Sequence, residues 1–200
     1  MENWRFKDWE PLSLEELRAL LATLPVPWHL AGGHAIEVFL GKSIRVHGDI
    51  DILVERKDQL ILQDFLSDWE MAYGTRPGMD YWQTGQFLEQ PYYDIWCRKQ
   101  KEGSWKFQIM LYDAAHDNWL FKRDASLRRP KSKIFHNTED GLSYLAPEIQ
   151  LLYKGTSTIR PKDNLDFKNV LPFLNQAAKT FLKIQLENRY PDGHSWLADL

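Results

Sequence analysis

Cysteine is nearly missing from this 200-residue chain, with Cys97 standing alone. One thiol closes no internal disulfide and builds no zinc site that needs several thiolates. It lies in the aromatic stretch YYDIWCRK with no obvious partner base, and reads as a packed small hydrophobe rather than a nucleophile. An excess of positive charge is also missing. The formal net charge of -3 argues against a protein that coats nucleic acid regardless of sequence. No apolar run approaches the roughly 20 residues needed to cross a bilayer. The start, MENWRFKDWEPLSLEEL, lacks the basic opening and apolar run of a signal peptide. The expected location is the cytoplasm. Low-complexity tracts, repeats and an obvious flexible linker are absent as well.

What is present supports a folded core: 44% of residues are hydrophobic and 26% charged, an ordinary balance for a globular protein. The length allows one sizeable domain or two lobes sharing a cleft. Ser13 and Glu16 have capping-box spacing ahead of Leu14, Leu17, Leu20, Leu21 and Leu24, which predicts a first helix ended by Pro25 and Pro27. Trp28 to Ala31 reads as a short buried strand, Gly32-Gly33 as a turn, His34 to Leu40 as a helix closed by Gly41, and Asp49 to Val54 as the next strand. Leu60, Ile61, Phe65, Leu66 and Trp69 predict another amphipathic helix. Residues 91–98 and 105–112 predict a hairpin whose loop lies around Glu102 to Ser104. From Ala146 onward the pattern is helical, with Pro147 opening one helix, Arg160-Pro161-Lys162-Asp163 a second, and Asn175 to Asn188 a third. The expected division is a domain over 1–140 and a helical lobe over 141–200, with the boundary between 137 and 146.

The chemistry concentrates in WHLAGGHAIEVFLGKSIRVHGDIDILV, residues 28–54. Arg45, His47, Asp49 and Asp51 occupy alternate positions, which in a strand share one face. Two carboxylates one residue apart can converge on a shared cation. The Gly-Gly turn offers unobstructed N–H groups and a positive helix end, which suit a phosphate. Cation and phosphate in one unit point to nucleotide chemistry.

Gly32-Gly33 coupled to Asp49 and Asp51 resembles the nucleotidyltransferase superfamily with the DNA polymerase beta fold. More narrowly, GGHAIEVFLGKSIRVHGDIDILV looks like the aminoglycoside and lincosamide nucleotidyltransferase branch, and YLAPEIQLLYKGTSTIRPKDNLDF is similar to the helical part of such proteins. The resemblance implies an α+β fold: a mixed sheet flanked by helices, then a helical C-terminal lobe that closes the cleft. It also implies transfer of a nucleoside monophosphate, AMP from Mg·ATP, to a hydroxyl of a small acceptor such as an aminoglycoside or lincosamide-like compound.

On this reading Asp49 and Asp51 coordinate Mg²⁺, a hard cation that accepts carboxylates and phosphate oxygens. Backbone N–H groups after Gly32 and Gly33 hold the β- and γ-phosphates, the absent side chains there let phosphate approach, and Arg45 assists with its guanidinium fork. His34 either touches phosphate or caps its helix, and His47 orients the aspartates. Lys154 resembles the family's phosphate-contacting lysine, with a solvated lysine as the alternative. Asp163 and Asp166, three apart, orient Lys154 or the acceptor, or form a local ion-pair network. Such enzymes commonly carry a third acid on a neighbouring strand. WKFQIML places Gln108 there, and an amide takes no proton at neutral pH. Asp94 is then the candidate base, with Asp113 a poorer choice at the strand end.

Two other readings stay open. A nucleotide-binding protein without catalysis fits Gln108. A nucleotidyltransferase acting on RNA or protein draws on Arg128, Arg129, Lys131 and Lys133, a basic run expected in a loop. Trp82, Trp96 and Trp105 offer stacking surface for a base or acceptor ring, or core packing.

Overall fold

The computed structural model describes residues 8–75, 78–99 and 103–200. The hairpin-loop residue Glu102 lies outside them, as do residues 1–7 of the N-terminal segment.

Helix α1 spans Leu14–Leu20 and opens on the expected capping box: Ser13 Oγ accepts from the Glu16 N–H, and the Glu16 carboxylate accepts from the Ser13 N–H at 2.8 Å. Strand β1 (Trp28–Ala31) runs directly into α2 (Gly32–Leu40), which Gly41 closes in the left-handed conformation at φ 65°. Then come β2 (Asp51–Glu55), α3 (Gln59–Phe65), β3 (Glu70–Gly74), β4 (Met79–Tyr81), β5 (Asp94–Arg98) and β6 (Phe107–Ala115). The hairpin of β7 (Asn118–Phe121) and β8 (Asp124–Pro130) precedes β9 (Phe135–Asn137) and β10 (Ser143–Leu145). Helices α4 (Pro147–Lys154), α5 (Pro161–Val170) and α6 (Gln176–Arg189) complete the chain's regular elements. Pro147 and Pro161 each occupy the first turn of a helix, where a missing N–H costs nothing.

The sheet is mixed, in the order β4-β3-β5-β6-β2-β1-β10-β9, with β7 and β8 continuing from the far end of β6. β2 pairs parallel with β6 and antiparallel with β1, while β1 pairs parallel with β10. The expected pairing of β5 with β6 is present, with Asp94 opposite Met110 and Trp96 opposite Gln108. The chain passes residue 140 between β9 and β10, both strands of this one sheet.

Alternation along β2 separates two cores. Ile52 and Val54 face a cluster with Leu17, Leu21, Leu62, Ile95 and Phe107. Leu53 faces the other way, among Ile36, Ile149, Leu152, Phe167, Val170 and Leu182. Asp51 shares the face of Leu53, so the helical lobe covers the sheet where the acids emerge. Cys97 is fully buried, and burial pushes its thiol well up, as a packed hydrophobe requires.

Three expectations need correction. The strand expected over Asp49 to Val54 begins at Asp51 and ends at Glu55. Its partner β1 ends at Ala31, opposite Asp51, where the chain turns into α2. Arg45, His47 and Asp49 therefore lie in an irregular segment, and no strand alternation sets their directions. The helix expected to reach Trp69 stops at Phe65, and Trp69 packs edge-on against Phe107 at 5.1 Å between ring centroids. The basic run expected in a loop is the end of β8 followed by a single 3₁₀ turn, Lys131–Lys133.

Candidate active site

The glycine turn needs glycine for steric reasons. Gly32 has φ +66°, and a side chain there would collide with Asp51 Oδ2; on Gly33 it would collide with the His47 ring and Arg45. The turn and Asp51 are thus closely packed. The Gly32 N–H donates to Gln150 Oε1 on α4 at 2.7 Å. This N–H is committed to the protein.

Asp49 and Asp51 open onto a cleft of about 210 Å³ whose floor includes Gly32, Gly33, Leu53, Gln108 and Met110. Neither aspartate has a cation within ion-pair distance among the described residues. Burial first, then repulsion from Asp49 and Asp94, raises the Asp51 carboxyl to about 7 against the pull of Lys154 and Lys162. A larger hollow of about 520 Å³ lies beside Trp69, Tyr81, Trp82 and Lys99. It holds neither the glycine turn nor the paired acids, so chemistry rather than size selects the smaller cleft.

Gln108 sits opposite Asp51 in the β2–β6 register. Its amide donates to Asp94 Oδ1 at 3.2 Å, tying it to the carboxylate one strand further out. Asp94 shares the sheet face of Met110 and Gln108, and its side chain is 38% exposed, with Lys122 Nζ 3.7 Å away. Asp113 is engaged elsewhere: Arg56 Nε donates to it at 2.5 Å and Gln90 at 2.9 Å.

The helical wall carries paired charges. Lys154 Nζ lies 2.8 Å from Asp166 and 3.2 Å from Asp163. Asp166 also receives Arg45 in a two-pronged contact, Nε at 2.9 Å and Nη2 at 3.1 Å. Asp163 accepts from Arg160 as well; burial raises its carboxyl, but Arg160 and Lys154 outweigh that and hold it below its ordinary value. Asp163 and Asp166 thus hold Lys154, one of the expected arrangements, and Arg45 is anchored rather than free.

The histidines are placed differently from the expectation. His47 Nε2 lies 2.9 Å from Glu37 Oε1, and its ring abuts Gly33 rather than an aspartate. His34 does not cap α2, whose N-cap is Ala31 with no side-chain bond. Its ring faces His47 at 4.3 Å between centroids, outside the cleft lining. Trp82, Trp96 and Trp105 are also absent from that lining, and Trp82 and Trp105 are buried. In the basic run, Arg129 pairs with Glu148 at 2.9 Å and Lys131 with Glu55 at 3.1 Å.

Several lining residues carried no sequence signal. Lys122 and Arg123 enter from the β7–β8 turn, Gln150 and Tyr153 from α4, and Arg160 and Lys162 from the start of α5. Arg160 and Lys162 flank the proline that opens α5, which is the only sequence cue to any of them.

Comparison with known proteins gives this geometry a family. Among solved structures, the fold is similar to lincosamide antibiotic adenylyltransferase LnuA with lincomycin bound: TM-score 0.54, 20% identity, 80% of this chain and 98% of that chain covered. It is also similar to ANT(2'')-Ia in complex with adenylyl-2''-tobramycin: TM-score 0.58, 12% identity, 88% and 96% covered. At these identities the likenesses concern the fold. No curated protein matches the sequence. A sequence model of the family described as aminoglycoside-2''-adenylyltransferase matches residues 13–170, from the first helix through α5. That span contains the glycine turn, both aspartates and the lysine wall, and the chain belongs to the aminoglycoside-2''-adenylyltransferase family as a nucleotidyltransferase.

Proposed function

We propose that the protein transfers AMP from ATP to a hydroxyl of a small acceptor of the aminoglycoside or lincosamide type, with Mg²⁺ held by Asp49 and Asp51. The carrying observation is the close approach of Asp51 to the glycine turn in a cleft that Asp49 also lines, with Asp51 raised to about 7 and neither carboxylate in an ion pair among the described residues. Two oxygen donors in that state fit a hard divalent ion. Bound there, Mg²⁺ would neutralise charge on the triphosphate and orient its α-phosphorus.

The chain's own groups do the rest. Gly33 lines the cleft at the start of α2, where a helix N-terminus suits phosphate. Lys154 faces the cleft from the opposite wall, held in place by Asp163 and Asp166, and meets phosphate oxygens as a fixed positive charge. Asp94, partly exposed and steadied by Gln108, takes the proton of the acceptor hydroxyl. The hydroxyl oxygen forms a bond to the α-phosphorus, the bond from that phosphorus to the bridging β-phosphate oxygen breaks, and pyrophosphate leaves. Tyr153, Lys122 and Arg123 line the mouth and contact the base or the acceptor.

The test is incubation of wild type and Asp49→Asn/Asp51→Asn with labelled ATP, Mg²⁺ and a panel of aminoglycosides and lincosamides. Wild type labels at least one acceptor and releases pyrophosphate. The double variant is slower by at least about a thousandfold, several kcal/mol of barrier. Equal labelling by both proteins overturns the assignment of the aspartates. ATP binding without pyrophosphate release on any acceptor overturns the transfer.

A further inference from the structure

His34, Glu37 and His47 form a group that the transfer reaction does not use. His34 and Glu37 stand three apart on α2, so their side chains project from one helical face. His47 reaches them from the irregular segment before β2. One donor atom from each residue lies within 4.8 Å of the others.

The His47 side chain is only 5% exposed, yet neither ring nitrogen has an aligned hydrogen-bond partner among the described residues. Its approach to Glu37 Oε1 at 2.9 Å is close but off the line of a good hydrogen bond. A buried polar group left unmet is destabilising, and both nitrogens of one ring are in that position. Glu37 meanwhile has spare capacity. Its Oε1 accepts from the Ile44 N–H at 2.7 Å, the Ser43 hydroxyl at 3.0 Å and the Arg45 N–H at 3.2 Å. Those bonds latch the loop onto α2 and leave Oε2 for another partner.

We propose that His34, Glu37 and His47 bind one imidazole-preferring divalent ion, Zn²⁺ foremost, at a site separate from Asp49 and Asp51. Two imidazoles and one carboxylate select Zn²⁺, Co²⁺ or Ni²⁺ over Mg²⁺, which prefers all-oxygen surroundings. Three protein ligands leave a fourth position for water. Nitrogens that each lie about 2.0 Å from a tetrahedral ion stand about 3.3 Å apart, so donors already within 4.8 Å need only small ring rotations. The charge states agree. Burial, then His47, lowers the His34 pKa and keeps its ring neutral. Burial raises Glu37, but the Ile44 N–H, the nearby His47 ring, the Arg45 N–H and the Ser43 hydroxyl outweigh it and hold the carboxyl at about 2. Neutral imidazole and ionised carboxylate are the forms that ligate. The ion would tie the first turns of α2 to the loop that carries Arg45 and Asp49.

Chelator-treated full-length protein is titrated with Zn²⁺ against a zinc-indicator dye in millimolar Mg²⁺, and with Co²⁺ followed by visible absorption. Wild type binds one Zn²⁺ per chain at micromolar or lower concentration, develops Co²⁺ bands, and melts at a higher temperature with Zn²⁺. His34→Gln weakens Zn²⁺ binding at least about tenfold, and His34→Cys, which restores a donor atom, recovers it. Asp49→Asn/Asp51→Asn binds Zn²⁺ as wild type does, which separates this site from the nucleotidyl-transfer site. No saturable binding by wild type, equal affinity in wild type and His34→Gln, no recovery in His34→Cys, or loss of binding in the aspartate variant would each overturn the proposal.

Discussion

On the sheet side of the cleft, burial and then Asp49 raise the Asp51 carboxyl, and neither acid has an ion-pair partner among the described residues. On the helical side, Lys154, Arg45 and Arg160 are each matched to Asp163 or Asp166 at 2.6 to 3.2 Å. One wall has acids without an ion-pair contact among the described residues, and the other has its charges paired internally. The sheet wall is arranged for something that arrives from outside, a cation with its phosphates. The helical wall is arranged to keep its cations in position whether or not a ligand is present. Such a division suits a reaction that depends on positioning and electrostatics rather than on covalent chemistry by the protein.

The strongest way to break this contrast is Asp166→Ala. Asp166 is fully buried and serves Arg45 and Lys154 together, so its loss leaves two cations competing for Asp163 or unpaired. Removing one partner of a buried ion pair typically costs about 3–5 kcal/mol. Urea unfolding of the variant is expected to show a loss of that order. A loss below about 1 kcal/mol, the level of exposed pairs, would mean that the helical wall is not a fixed network.

The helical wall was only partly readable in the sequence, for a physical reason. Features set by near neighbours along the chain were legible: the Ser13–Glu16 box, prolines at the helix starts, the left-handed Gly41 and the β5–β6 pairing. Features set by distant partners were not. Arg45 meets Asp166 across 121 positions, and Gln150 meets Gly32 across 118. No local pattern encodes such a meeting. Strand alternation failed at 45–50 for a related reason, because an extended segment keeps its two-residue period only where a neighbouring strand pairs with it.

A smaller effect separates the acids of the sheet wall from one another. Asp94→Asn keeps the side chain's shape and its contact with Gln108 but cannot accept the acceptor's proton. Transfer is expected to fall about a hundredfold, the lower end of general-base contributions, with Zn²⁺-independent melting unchanged and ATP binding retained. Gln108→Glu on that background returns a carboxylate beside Asp51 and is expected to recover part of the rate. Unchanged turnover in Asp94→Asn would remove Asp94 from the reaction and leave the sheet wall with its metal-binding pair alone.

The smallest expected effect probes Asp51 directly. Asp51 ionises near its ordinary value in the unfolded chain, but burial and Asp49 raise it to about 7 in the folded protein. Between those values the folded state holds a proton that the unfolded state has released, so stability contributed by this group is full at low pH and falls as pH rises toward 7. Asp51→Asn removes that dependence. In metal-free buffer near pH 8 the variant should melt a few degrees higher than wild type, although transfer is lost, and near pH 4 the difference should vanish. Mg²⁺ should raise the melting temperature of wild type at pH 8 and leave Asp49→Asn/Asp51→Asn unmoved. A variant that melts lower than wild type at pH 8 would mean that Asp51 is already satisfied within the protein, and the contrast between the two walls would fail at the sheet.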